Sequence, residues 1–319
     1  MIFSRRGFFS GINNLTTSPY PKNMKDILAR NILLLGALDE ISAAAAQKNL
    51  RLILLKGAAL LAEGVYGPGE REMTDVDILV RPRDEKAFDA LLAGLGFKPM
   101  ENSSQAYCRP AGPSTSLRAG SSAPPVIVDL HTGLWHEKET EALWHRSARV
   151  SQGMSVPALG LEDQLLHLAS HTLLYHGCLG PRTLEDLARL VKFVYRKTDR
   201  ADFWRRACDI AADEKLKPAL IPVFTRFAAA HPELMSEKEL AAFEPPGTEK
   251  LKSRFFEKAA VRHSRLLEYV LPGLYRPWLF VRYLFPGKTF LEKRYGRASW
   301  TNHFIRPFQL IAAILRKED

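Results

Sequence analysis

The decapeptide "REMTDVDILV", residues 71–80, sets two aspartates two residues apart where the chain enters an apolar run. Alternate residues of a strand point the same way. Asp75 and Asp77 therefore share a face, with Cα atoms about 6.5 Å apart. Two ionised carboxylates that close repel, and solvent, a proton, a basic partner or a metal must compensate. A divalent cation is the strongest compensator. Mg²⁺ (or Mn²⁺) takes hard oxygen ligands and keeps waters and substrate phosphates in its shell. Two carboxylates on one strand end can bridge two such ions about 3.5–4 Å apart, the spacing used for in-line phosphoryl transfer. Taken alone, D-x-D also describes two acids resting in water where a strand begins. The neighbouring segments narrow the choice.

Upstream, "RLILLK" (51–56) reads as a buried strand, and "GAALLAEGVY" (57–66) as a helix starting at its glycine. Glycine lets backbone approach a ligand, and a helix start offers N–H groups to an anion. Lys56, Gly57, Ala58 and Arg71 are the candidate phosphate-binding residues, with ordinary solvated charge as the alternative for Lys56 and Arg71. "VDILV" (76–80) is a second strand and "VIVDLHTGLW" (126–135) a later one. Asp129 stands on it among apolar neighbours. If that strand lies beside 76–80, Asp129 completes a triad with Asp75 and Asp77. It can bind a second metal or take a proton from an attacking hydroxyl. His131, two residues on, shares the face of Asp129 and is a candidate partner of an active-site acid.

The rest of the chain organises around this half. Residues 1–22 read as a flexible leader. Met24 to about Lys48 places Ile27, Leu34, Leu38 and Ile41 at helical spacing. "DEKAFDALLAGLGF" (84–97) is another helix, with Pro82 near its start. Residues 101–125 are rich in serine, glycine and proline and are expected to form a mobile loop. After Val150 the pattern turns helical, and the last 70 residues are basic and aromatic. The expected fold class is α+β: a mixed sheet with helices over residues 23–150, followed by an α-helical domain over 151–319 with a basic aromatic tail.

The formal net charge of +10 attracts polyanions without choosing among them. Nucleic acid is an open partner, not the favoured one. No run reaches the roughly 18 apolar residues of a membrane span, and the tail is a candidate for peripheral membrane contact, RNA binding or ordinary packing. Three cysteines with no C-x-x-C pair argue against a disulfide framework or zinc ribbon and suit a reducing cytoplasm. "SRRGFFSG" at the start carries paired arginines, but a polar, proline-broken segment follows where an export signal needs an apolar one. His167 and His171 are four apart on a helix, without the glutamate of H-E-x-x-H, and leucines around them point to a half-buried face.

Strand–Gly–helix, then D-x-D on the next strand, then a lone Asp on a later strand resembles the polymerase-beta-type nucleotidyltransferase superfamily. More closely, "LLKGAALL", Arg71 with "DVDILV", "LGF", "VDLHTGLW" and "LEDQLLHLASH" resemble an uncharacterised bacterial family labelled nucleotidyltransferase 5. The resemblance runs from about Ile53 to Val194 and touches "YLFPGKTFLEKRYG". It implies metal-binding aspartates at Asp75 and Asp77, a third acid at Asp129 and a nucleotide turn at Gly57-Ala58. Ala58 departs from the serine or glycine usual in the superfamily, and the gap to Asp75 is longer. The implied reaction is metal-dependent transfer of an NMP from an NTP, ATP first among them, to an acceptor hydroxyl with release of pyrophosphate. Transfer to RNA or protein, and a catalytically silent nucleotide- or partner-binding protein of the same fold, are the alternatives.

Overall fold

The structure, a computed structural model, describes residues 23–100, 103, 105–110, 124–135, 141–149, 156–176 and 179–261, with isolated positions between 278 and 308. The expected leader 1–22 and most of the expected loop 101–125 lie outside the described residues.

Helix α1 (Met24–Gln47) begins at Asn23, whose side chain accepts from the Asp26 N–H at 3.0 Å. That cap satisfies one of the donors every helix start leaves over. Leu34, Leu38, Ile41 and Ala45 form its buried stripe. Strand β1 (Leu52–Leu54) runs into helix α2 (Lys56–Ala62). The α2 helix stops earlier than its composition suggests. Gly64 adopts φ 76, its N–H donates to the Leu61 carbonyl and that of Val65 to Leu60, which closes the helix in a left-handed turn. Strand β2 (Val76–Val80) is fully buried and matches the expected segment. A 3₁₀ turn at Pro82–Asp84 leads into helix α3 (Glu85–Gly94).

Strands β3 (Lys98–Pro99) and β4 (Ala106–Arg109) follow, then β5 (Val126–His131). Strand β4 lies inside the serine-rich stretch read from composition as a loop. Its four residues pair antiparallel with β5, from Ala106 opposite Asp129 to Arg109 opposite Val126. Helix α4 (Glu141–Arg146) precedes the two-residue strands β6 (Ala148–Arg149) and β7 (Pro157–Ala158). The strands make one mixed sheet in the order β3-β4-β5-β2-β1-β7-β6. Pairing is antiparallel between β1 and β2 and parallel between β2 and β5. Every residue of β1 and β2 is buried, so both faces of these strands are covered and they read as apolar runs, not as alternation.

The chain divides at Gln164, inside helix α5 (Leu161–His176), into two compact units. Beyond it come helices α6 (Pro181–Val194), α7 (Arg200–Asp213), α8 (Lys217–Ala230), α9 (Glu237–Ala242) and α10 (Lys250–Val261). Their core is aromatic. The rings of Phe224 and Phe243 stand 4.8 Å apart edge to face, and Trp204 packs against both at 6.0 Å. The fold is α+β: a mixed sheet with helices, then helices alone.

Candidate functional site

The parallel pairing of β2 and β5 brings two acids side by side. Asp77 stands opposite Asp129, and Leu79 opposite His131. Neighbouring strands lie about 4.8 Å apart, so carboxylates in register leave the sheet as a pair. His131 follows on the face of Asp129 two residues later. One ligand atom from each of Asp77, Asp129 and His131 lies within 4.8 Å of the others. All three residues are buried, at 4%, 3% and 5% exposure. Buried carboxylates this close require positive charge nearby.

Lys56 supplies some of it. Its Nζ donates to Asp77 Oδ1 at 2.6 Å. The His131 Nε2 lies 2.9 Å from the same oxygen and 3.5 Å from Asp129 Oδ2. The backbone aims the lysine there. Leu55 is extended, and its N–H donates to the Asp77 carbonyl at 3.1 Å, which staples the strand–helix junction to the strand that bears the carboxylate. Lys56 then turns the chain with φ 47, a left-handed conformation that costs a non-glycine residue about 1 kcal/mol. Such strain persists where surrounding contacts hold it.

Two carboxylates and one imidazole form a donor set that fits a divalent cation. The oxygens suit Mg²⁺, and the imidazole nitrogen moves the preference toward Mn²⁺.

Gly57 has a steric reason. A Cβ built on it would lie 2.3 Å from Arg71 Nη1 and 3.3 Å from Met73 Cγ. The missing side chain makes room for the Arg71 guanidinium over the first turn of α2. The same guanidinium carbon lies 6.0 Å from the centre of the Tyr66 ring. Gly57 and Ala58 are both buried within α2.

Asp75 stands apart from the three-residue set. The strand begins at Val76, which leaves Asp75 in a half-exposed bend with Thr74 Oγ1 donating to its Oδ1 at 3.0 Å. Arg30 feels its charge. Burial lowers the Arg30 guanidinium from its ordinary pKa, and Glu72 and Asp75 oppose that shift. Lys56, Asp77, Asp129 and His131 thus converge, Gly57 and Arg71 meet beside them in the chain, and Asp75 lies outside the metal-capable group.

Two residues of α1 that the sequence did not single out organise this face. Arg30 donates to the carbonyls of Thr74, Pro124 and Pro125 at 2.9–3.1 Å, tying the entries of β2 and β5 to one helix. Asn31 is fully buried. Its Nδ2 donates to the carbonyls of Pro68 and Arg71 at 2.6 and 2.7 Å, and its Oδ1 accepts from the Met73 N–H at 3.0 Å. It fixes the loop that carries Arg71. The signal for it was an amide on the apolar stripe of α1, three residues before Leu34. His167 and His171 are buried on α5 with ring centres 5.2 Å apart, and neither belongs to a metal-capable group among the described residues.

A family described as "Uncharacterised nucleotidyltransferase" has a model that matches residues 21–225, nearly two thirds of the chain. No curated protein matches it. Among solved structures, the solution structure of the antibiotic-resistance factor ANT(2'')-Ia is similar at a TM-score of 0.36 and 16% identity, covering 49% of this chain and 82% of its own. The crystal structure of ANT(2'')-Ia in complex with adenylyl-2''-tobramycin gives a TM-score of 0.36 and 17% identity over 50% of this chain and 88% of its own. A likeness that slight carries no argument about substrate.

Proposed function

The chain belongs to the uncharacterised nucleotidyltransferase family, and from that premise we propose that the cluster around Asp77 and Asp129 moves an NMP from an NTP, ATP first among them, to an acceptor hydroxyl. The observation that carries the proposal is the register of β2 on β5. It sets Asp77 against Asp129 with Lys56 and His131 on the same carboxylates.

Asp77 and Asp129, with His131, would hold Mg²⁺ or Mn²⁺, which when bound supplies charge neutralisation for the triphosphate and the departing pyrophosphate. Asp75, at the strand mouth, would add negative charge toward a second ion. Lys56 and Arg71 bind phosphate oxygens beside the Gly57-Ala58 turn. Asp129 accepts the proton of the acceptor hydroxyl. The acceptor oxygen bonds to the α-phosphorus, the bond from that phosphorus to the bridging oxygen breaks, and pyrophosphate leaves. His131 orients the two carboxylates. Alignment and fixed charges in a buried site supply most of the acceleration.

The test is incubation of the protein with each labelled NTP, Mg²⁺ or Mn²⁺, and a cell extract, following pyrophosphate and the fate of the label. Release of pyrophosphate with label on an acceptor supports the assignment. Label on RNA or protein identifies that acceptor class. Calorimetric binding of an NTP with no pyrophosphate release under any of these conditions would make the chain a silent nucleotide-binding protein instead.

A further inference from the structure

We propose that Lys56 is an exchangeable counter-ion. It neutralises Asp77 while the cluster holds no metal, gives Asp77 up when a divalent cation binds, and then turns its ammonium to the triphosphate. On the nucleotidyl-transfer reading, on which this exchange rests, metal and triphosphate are bound as a coupled pair.

The ammonium sits where a cation has to arrive. Lys56 Nζ lies 2.6 Å from Asp77 Oδ1, and His131 Nε2 approaches the same oxygen at 2.9 Å. Asp77, Asp129 and His131 are the three residues whose ligand atoms converge. A dication drawn to them meets the ammonium on one shared carboxylate. Two cations that close repel, and burial strengthens the repulsion by lowering the local dielectric. The charges agree with this. Two carboxylates balance one dication, and an ammonium held there as well is one positive charge too many.

Lys56 is also built to leave. Its backbone is held and its side chain is not packed away. The Leu55 N–H bond to the Asp77 carbonyl fixes the junction at 3.1 Å, and the turn at φ 47 sets the direction in which the lysine side chain sets out. Beyond that the ammonium ends a flexible four-carbon stem with three rotatable donors. The Lys56 side chain is 13% exposed against 5% for Asp77, so the lysine lies on the more open side of the pair. It can swing without movement of the main chain.

A destination lies next to it. The Arg71 guanidinium packs against Gly57, the residue that follows Lys56. An ammonium released from Asp77 therefore stays beside a second cation. Phosphate oxygens accept strong charge-assisted hydrogen bonds from both kinds of group. A triphosphate that takes the ammonium clears Asp77 for metal, and a metal that displaces the ammonium readies it for triphosphate. Coupling of this kind is reciprocal.

The experiment follows Mn²⁺ binding by electron paramagnetic resonance, and binding of α,β-methylene ATP by calorimetry at saturating Mn²⁺, on the full chain. Lys56→Met keeps an unbranched stem and removes the charge. It should bind Mn²⁺ alone at least about tenfold more tightly than wild type. With Mn²⁺ saturating, it should bind the nucleotide at least about tenfold more weakly. Lys56→Gln, which keeps a donor without charge, should shift both affinities in the same directions and answers the question if the methionine variant does not fold. Equal or weaker Mn²⁺ binding by the variants overturns the proposal, since a lysine that only supports the fold loosens both ligands when removed. Tighter Mn²⁺ binding with unchanged nucleotide binding overturns it too, because the ammonium then never reaches phosphate. Failure of the transfer reading looks different. Opposite shifts without transfer to any acceptor leave the exchange standing and remove the enzyme. Transfer with Mn²⁺ affinity unmoved by Lys56→Met does the reverse, and no Mn²⁺ binding by wild type or variant removes the metal site and both readings with it.

Discussion

Asp77 Oδ1 is met by Lys56 Nζ at 2.6 Å and by His131 Nε2 at 2.9 Å, with Asp129 in register one strand away. The charge on this one oxygen holds the group together. Asp77→Asn keeps the shape and removes the charge. Turnover should fall at least about a thousandfold while the far-UV circular dichroism spectrum stays unchanged. Full nucleotidyl transfer by that variant would remove the assignment. Gly57→Ala probes the other side. The atom its Cβ meets is the end of a flexible arginine, and alanine favours the helix over glycine. Stability should change by less than about 1 kcal/mol in urea unfolding, while displacement of Arg71 should raise the KM for the triphosphate. A large loss of stability instead would show that Arg71 is pinned and that Gly57 serves packing alone. At this scale the charged residues were legible in the sequence, because an acid in an aliphatic strand stands out. Asn31 was not. An amide in a helix has meaning only once the loop 68–73, some 40 residues away, lies against it.

Helix α1 reaches the site through that amide. Asn31→Ala would leave the carbonyls of Pro68 and Arg71 and the Met73 N–H without their buried partner. Urea unfolding should show a loss of about 2–3 kcal/mol, accompanied by weaker triphosphate binding as the Arg71 loop loosens. A loss of stability with unchanged binding would separate the helix from the site. Helix α5 carries a pH-dependent element of its own. Asp163, 1% exposed, accepts from Arg146 Nε at 2.7 Å and Nη2 at 2.9 Å. Burial nonetheless pushes its carboxyl above the ordinary value, against the pull of Arg146. The folded state then binds this proton more readily than the unfolded one. Its contribution to stability is present below the ordinary carboxylate range and is lost as pH rises through the raised folded value. Asp163→Asn has no such proton. Urea unfolding between acid and neutral pH should show wild type losing stability relative to the variant as pH rises, and a parallel pair of curves would refute the buried, raised carboxyl. Helices α1 and α3, long enough to show a period, and β2, a short aliphatic run bounded by the acids before it and Pro82 after it, were legible in the sequence. Two-residue strands such as β3, β6 and β7 have no period to read, and β4 was hidden by the serine- and glycine-rich composition around it.

The limits of the catalytic half follow from which strands its sheet needs. Composition changes near Val150, yet β7 comes later, at Pro157–Ala158. It pairs in parallel with β1 through Leu54 and Ala158 and antiparallel with β6. Strand β1 leads directly into the Lys56 turn. A chain cut at 150 would leave β1 with one neighbour and a bare aliphatic edge, Leu52-Ile53-Leu54, on the outside of the sheet. Such edges recruit other chains. The cut would also take Asp163 from Arg146. We propose that the smallest unit able to hold the site runs from residue 23 to 176, which keeps β7, the Arg146–Asp163 pair and the whole of α5. The fragment 23–176 should be monomeric by gel filtration, melt cooperatively and bind a triphosphate. The fragment 23–150 should elute as aggregate or melt without a cooperative transition. Equal melting and equal binding by the two fragments would mean that β7 closes nothing, and that the turn at Lys56 is held by β2 and the Leu55–Asp77 hydrogen bond alone.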